Sequence, residues 1–179
     1  MHEGDSISGF PSVDVFIYLI TPQLSKLRDP ALDCLQDVYN VLENLAKETS
    51  QKVFSRFPQM VPEMMDLISH VLHEEREVCR DMIESVIDAQ EGYLYTNDDD
   101  YLRNKTDIIT GASSDPAKGQ STAKNFEEEI RQRIDAYFHI VIKSVKDLVP
   151  KLIGFNLVQS SIEKLQYELM TAVSSVERF

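Results

Sequence analysis

Cysteine, glycine and positive charge are all scarce in this sequence of 179 residues. It contains 2 Cys and 6 Gly, and its 18 Lys and Arg are outnumbered by 30 Asp and Glu, so the formal net charge is −12. Surfaces that bind nucleic acid or anionic lipid need clusters of basic residues, and we therefore expect neither partner to bind strongly. With 42% apolar residues and so little glycine, the composition is that of a globular domain.

The two cysteines, Cys34 and Cys79, form no CxxC pair and fall within helical patterns. We expect both to be buried free thiols in a reducing cytosol. The sequence also has no uninterrupted apolar run of membrane-spanning length, and its first residues lack the basic and apolar regions of a signal peptide. These absences predict a cytoplasmic protein.

Motifs for nucleotide binding and metal binding are missing as well. There is no GxxxxGK[ST] loop and no GxGxxG after a strand, so the chain by itself is not expected to bind a nucleotide. His70, His73, Glu74 and Glu75 form the only candidate metal cluster, and the four-residue spacing of His70 and Glu74 favours a surface pair instead. His139 lies on the flank of an apolar stripe and is expected to be a partly buried packing residue.

Long stretches of helical periodicity are the main positive signal. Apolar residues recur at three- and four-residue steps, which is typical of amphipathic helices. The stretches cover residues 12–48, 58–95 and 126–179. They predict an all-α fold, an elongated antiparallel bundle of three long helices. Prolines within the pattern predict kinks or a short break near Thr21 and Asp29, and Pro150 with Gly154 predicts a bend in the last helix.

A polar break interrupts the stripe of the second helix at residues 73–77, HEERE. The period calls for an apolar residue where Glu75 or Arg76 stands. Two interpretations are open. The break is either a loosely packed middle part of the bundle or a polar contact to another chain.

Residues 97–125 have a different character from the rest. They contain two glycines, a proline and many small polar residues, which indicates a flexible linker. The acidic run within residues 97–100 lacks the spacing of ligands, glycine and glutamate that an EF-hand loop requires. The linker divides the sequence into segments 1–96 and 126–179, which we expect to form one domain.

Four short motifs carry a family resemblance. RDPALDC, from Arg28 to Cys34, and YLYTNDDDY, from Tyr93 to Tyr101, closely match the (E/D)P(S/A)LxC and YxxTNx(D/E)D(F/Y) signatures of the dynamin superfamily. YFHIV at residues 137–141 and DLVPK at 147–151 are similar to its GTPase effector region. The chain resembles the stalk region of dynamin-related large GTPases, which combines the middle domain with the GTPase effector domain.

The resemblance implies a helical stalk through which family members dimerise and polymerise during membrane remodelling, fission or vesicle scission. It also implies that the GTPase head and the first of four stalk helices are missing, as in a fragment or an engineered piece. GTP and magnesium would belong to that head, and no catalytic, cofactor or metal site is expected here. The linker stands where the family has its membrane-binding module, but its 29 residues are too few for such a domain. The parent protein would be recruited peripherally to membranes.

Assembly residues follow from the same resemblance. The family's crossing interface falls on the last helix after its proline, at Phe155, Tyr167, Met170 and Val173, unless these residues fill the bundle core instead. The polar break adds His73, Glu75 and Arg76 as further candidates. The tip contact corresponds to Arg56, Gln59 and Asp66, although some family members carry a basic residue where this chain has Asp66.

Two other functional classes stay open from the sequence. One is a helical adaptor or scaffold domain that binds partner helices in a groove. The other is a bundle enzyme with a metal core. Because a four-helix stalk that loses one helix exposes an apolar face, the stalk interpretation predicts a homodimer or a higher oligomer.

Overall fold

The structure, a computed structural model, describes residues 13–98, 101 and 122–176, and the regular elements in these ranges are all helical. The elements, in chain order, are α1 Val13–Leu24, a 3-10 turn Ser25–Leu27, α2 Arg28–Val53, α3 Val61–Gly92, α4 Thr122–Leu152, a π-helical segment Ile153–Gln159 and α5 Ser160–Val176. The prediction of an all-α helical fold is confirmed for these residues.

The first predicted helix, 12–48, is divided into α1 and α2. Pro22 lies inside α1, and the chain tightens into the 3-10 turn three residues later. The Ser25 hydroxyl donates to the Pro22 carbonyl at 3.1 Å, which satisfies one oxygen at the end of α1. Pro30 falls in the first turn of α2, where its missing N–H costs no helical hydrogen bond. Of the two alternatives predicted near Asp29, a kink or a short break, the structure has the short break, at residues 25–27.

A tight turn joins α2 to α3. The Phe57 N–H donates to the Phe54 carbonyl at 2.8 Å, and the Met60 N–H donates to the Phe57 carbonyl at 3.0 Å. Helix α3 then begins at Val61, three residues later than predicted, with Pro62 in its first turn. Proline is favourable there because the first helical N–H groups have no partner within the helix.

The chain forms two compact units. Unit 1 consists of Met1–Leu27 and Ile87–Val145, and unit 2 consists of Arg28–Val86 and Lys146–Phe179. The sequence segments 1–96 and 126–179 each contribute to both units, so neither segment is a unit by itself. Most of the predicted linker lies outside the described residues, and α4 already begins at Thr122.

An aromatic cluster occupies the core of unit 1. The ring of Tyr137, which is 1% exposed, meets Phe16 edge-on at a centroid distance of 5.7 Å and Tyr101 at 6.0 Å. Edge-to-face pairs of this kind are favourable beyond the area they bury. Burial raises the pKa of both Tyr101 and Tyr137. Aliphatic side chains complete this core: Ile20, Leu24, Ile87, Ile130, Val141 and Val145.

Side-chain hydrogen bonds connect residues of the YLYTNDDDY signature, which follows α3. The Asp98 N–H donates to the Thr96 hydroxyl at 3.2 Å, and the Asp98 carboxylate accepts from the Tyr101 N–H at 3.0 Å. The acceptor lies three residues before the donor, which is the spacing of an N-cap hydrogen bond. This cap-like bond holds the backbone of Tyr101, whose ring belongs to the aromatic cluster.

Replacing Asp98 with alanine should lower the free energy of unfolding by about 1 kcal/mol, the usual value of an N-cap side chain. Asp98→Asn is the matched control, because its amide oxygen can still accept the Tyr101 N–H. Urea unfolding followed by circular dichroism would compare the three proteins. An alanine variant as stable as the parent would show that this cap-like bond does not hold the backbone of Tyr101.

Unit 2 buries one face of each of its helices. Its core is made of Ala31 and Leu35 from α2, Met64, Ile68, Val71, Leu72, Cys79 and Ile83 from α3, and Val149, Ile153 and Leu157 from the last part of the chain. The π-helical segment packs against α2. Glu75, Asn156 and Ser161 are polar but also buried, so the α3 core of this unit includes a carboxylate.

Candidate self-assembly surface

A π-helical segment follows Pro150 in the last helical stretch. Pro150 has no N–H for the helix ladder, and residues 153–159 then adopt π-helical geometry. The Ser160 N–H is shared between the Phe155 and Leu157 carbonyls, and its hydroxyl donates to the Phe155 carbonyl at 3.2 Å. The bend predicted at Pro150 and Gly154 is thus a change of helical pitch, which rotates the side chains that follow it.

Large apolar side chains are exposed along this stretch and α5. Phe155 is 62% exposed, Tyr167 70% and Met170 73%, while the neighbouring Leu157 is fully buried. Tyr167 and Met170 are three residues apart and so are neighbours on the surface of α5. One interpretation of the sequence placed these side chains in the core of the bundle. That interpretation is wrong for these three side chains, which are exposed. The side chain of Val173 lies outside those described.

The predicted tip residues are accessible. Arg56 and Gln59 are exposed in the turn between α2 and α3, and Asp66 is exposed on the second turn of α3. Their position at one end of two consecutive helices is compatible with a contact to another chain. Their role in assembly stays a prediction.

The polar break in α3 makes an ion-pair cluster with α5. Glu75 is 5% exposed, and its carboxylate pairs with the ammonium of Lys164, which also lies 3.6 Å from the Glu74 carboxylate. The hydrogen bond that the Lys164 ammonium donates to the Glu75 carboxylate is the main reason why the pKa of Lys164 is raised. A buried carboxylate needs such a partner, because leaving it unpaired is costly. Glu75 therefore fixes α5 against α3 within unit 2.

Arg76, the next residue, contacts α2. Its guanidinium carbon lies 4.9 Å from the centre of the Tyr39 ring, and its Nη1 donates to the Gln36 side-chain oxygen at 3.2 Å. The hydrogen bond from Arg76 also lowers the pKa of Glu77. The polar residues of the break thus connect α3 to both α2 and α5 within unit 2. A contact from this region to another chain, with the exposed His73 included, stays a prediction.

The histidines of the predicted metal cluster lie on the surface. His70 pairs with Glu74 at 3.3 Å, and both are exposed, which confirms the predicted surface pair. The prediction for His139 was wrong, since this side chain is exposed and its Nδ1 lies 3.0 Å from the Asp135 carbonyl oxygen. Across residues 13–98, 101 and 122–176, no three His, Cys, Asp or Glu side chains come together as a metal site. In the same ranges no helix combines the length and apolar character needed to cross a membrane.

The prediction of two buried thiols holds for Cys79 and is wrong for Cys34, which is exposed. On α2 the buried face carries Ala31 and Leu35, and Cys34 is turned about 100° away from Leu35 on the helix. Burial raises the pKa of Cys79 to about 11. Cys34 is therefore accessible to reagents, whereas Cys79 is buried and difficult to ionise.

At pH 8 a thiol reagent should react rapidly with Cys34 and slowly with Cys79. With its raised pKa, Cys79 would be about one part in a thousand thiolate even when the reagent reaches it. Mass spectrometry of the native protein should show one fast addition, with the second appearing only on denaturation. Equal labelling rates of the two cysteines would contradict this description of α3.

Two family models match the chain, one after the other. The dynamin central region matches residues 1–110, and the dynamin GTPase effector domain matches residues 122–179. The chain belongs to the dynamin family. These two regions make up the stalk, the self-assembly module of dynamin-like GTPases, and the resemblance drawn from the four motifs is confirmed.

Two relatives of this dynamin-family chain are each 24% identical to it over the aligned residues. It is 24% identical over 188 residues to the interferon-induced GTP-binding protein Mx2 of Ictalurus punctatus, covering 96% of this chain and 29% of that protein. It is 24% identical over 134 residues to the dynamin-related protein DNM1 of Saccharomyces cerevisiae, covering 67% of this chain and 18% of that protein. The chain thus spans less than a third of the length of these relatives.

Proposed function

We propose that this chain is the self-assembly module of a dynamin-like GTPase that remodels membranes by fission or vesicle scission. The observation that supports it most is the exposure of the large apolar side chains Phe155 and Met170 in the GTPase effector region. Large side chains exposed in this way on a region that matches a self-assembly domain are expected to be covered by another copy. The module forms a homodimer or a larger oligomer through this surface.

The parent protein, in this proposal, couples the stalk to a GTPase head. Two of the relatives described above support this, since one is named a GTP-binding protein and the other a dynamin-related protein. GTP and magnesium bind in the head, and this chain alone hydrolyses no GTP. The protein is cytoplasmic and is recruited peripherally to membranes, which this chain contacts only indirectly or weakly.

Light scattering across a range of concentrations tests the proposal. A monomer of this chain has a mass of 20.5 kDa. We expect the weight-average mass to rise to that of a dimer or beyond between low and high micromolar concentration. A constant mass of one chain throughout that range would contradict self-assembly through this module.

A further inference from the structure

An open groove of about 680 Å³ runs between α3 and α5 in unit 2. Its floor includes Leu67 and Val71, which are four residues apart and share one face of α3. One wall is formed by Tyr167, whose ring is 70% exposed. The groove thus offers an apolar floor and an aromatic side wall, the features of a surface that receives an amphipathic helix.

Negative charge dominates the rim of this groove. Glu74, Glu163 and Glu168 line it, and all three are exposed. The cationic side chain on the same lining, Lys164, is already held by Glu75 and Glu74. His70 would be charged only when protonated, and it pairs with Glu74. The rim therefore has more carboxylates than the cations beside it can neutralise.

We propose that this groove binds a basic amphipathic helix of a partner protein. Apolar side chains of the partner pack on the half-buried Leu67, since Val71 is only 3% exposed and leaves little surface to contact. Arginine or lysine residues of the partner pair with Glu163 and Glu168. An arginine in this position also stacks on the Tyr167 ring, which attracts cations through its face. This interaction goes beyond self-assembly, since its partner has the opposite charge to this chain.

A second copy of the chain is a poor occupant of the same groove. A symmetric dimer would bring the acidic rims of two grooves together, and like charges across an interface are unfavourable. The formal net charge of −12 adds to that repulsion. Charge complementarity therefore selects a cationic partner for this site and leaves the exposed Phe155 and Met170 for contacts between copies.

Fluorescence anisotropy with synthetic peptides tests the proposal on the full chain. The probe is a labelled peptide of about 18 residues, roughly five helical turns, built from leucine, alanine and arginine with the leucines on one face. One control has the same composition in an order that scatters the leucines, and the other has glutamate in place of arginine. We expect the amphipathic basic peptide to bind at least about tenfold more tightly than either control, because only it matches both charge and apolar floor.

Charge reversal locates the binding site. Glu163→Lys with Glu168→Lys should weaken peptide binding by about tenfold or more, since two rim carboxylates are lost and two repulsive charges are added. Glu43→Lys with Glu48→Lys is the matched control, with the same spacing and the same change in net charge on exposed positions of α2. The control protein should bind within about threefold of the parent, the residual effect of net charge. Circular dichroism would verify that both variants stay folded.

Four results would overturn the proposal. Equal binding of the scattered peptide would show attraction by net charge alone, and equal weakening in both charge-reversed proteins would place the site elsewhere. If the peptide dissociates the oligomer, the groove is part of the contact between copies. Self-association of the Glu163→Lys, Glu168→Lys protein is measured in parallel by light scattering. If that protein still self-associates but the parent binds no peptide, the groove proposal fails while the self-assembly proposal stands.

Discussion

Replacing Tyr137 with alanine should lower the free energy of unfolding by about 3 to 5 kcal/mol, the range for deleting a buried aromatic ring. Tyr137 is 1% exposed and holds together three segments that are far apart in sequence, through its ring contacts with Phe16 and Tyr101. Its removal leaves a cavity that relaxes only partly and also removes both edge-to-face pairs. Urea unfolding followed by circular dichroism would measure the loss.

Tyr137→Phe is the control that keeps the ring. The Tyr137 hydroxyl is buried and makes no hydrogen bond of normal geometry with the described residues. The backbone at Tyr95 is close enough to lower its pKa, an effect that is smaller than the increase from burial. Losing this hydroxyl should therefore change stability by less than about 1 kcal/mol. If the phenylalanine variant were as unstable as the alanine variant, the hydroxyl and not the ring packing would support unit 1.

The long helices were predictable because hydrophobic periodicity depends only on neighbouring residues. A disturbance of the helix near Pro150 was also predictable, since proline removes a backbone donor wherever it occurs. Its form was not, because the local pattern does not distinguish a bend from the π-helical segment that follows Pro150. The same limit explains why the apolar residues Val78 and Met82 of α3 are 43% and 41% exposed, since periodicity alone does not show which apolar side chains reach a neighbouring helix.

Contacts between helices could not be predicted from hydrophobic periodicity. The hydrophobic pattern showed that Glu75 or Arg76 interrupts an apolar stripe. The partner of Glu75, Lys164, lies on a different helix, and no feature of the sequence pattern identified it as that partner. Arg76 and Tyr39 are a second such pair, and the Asp98 bond that holds the backbone of Tyr101 is a third case. Cys34 and His139 were misplaced for a related reason, since each is next to an apolar face without being on it.

The exposed apolar surface of the GTPase effector region should be decisive for self-assembly. Phe155 and Met170 are more than half exposed, so aspartate at both positions should cost little in folding. In an interface, the same change removes two large apolar contacts and adds two carboxylates that would have to be desolvated. We expect association to weaken by at least about 30-fold, since each of two interface residues of this kind contributes more than about 1 kcal/mol.

Val41→Asp with Leu45→Asp is the matched control for this variant. These side chains on α2 are 64% and 57% exposed, so the change in surface chemistry is comparable. Because they lie outside the proposed surface, the control should associate as the parent does. A control that dissociated as readily would show that any loss of exposed apolar area is enough to prevent assembly.

Sedimentation velocity of the three proteins from low to high micromolar concentration is the most direct test of the stalk proposal. The account predicts that the parent and the α2 control form dimers or larger oligomers, while Phe155→Asp with Met170→Asp is monomeric at the same concentrations. A parent that is monomeric at high micromolar concentration, or a double variant that assembles as the parent does, would contradict it.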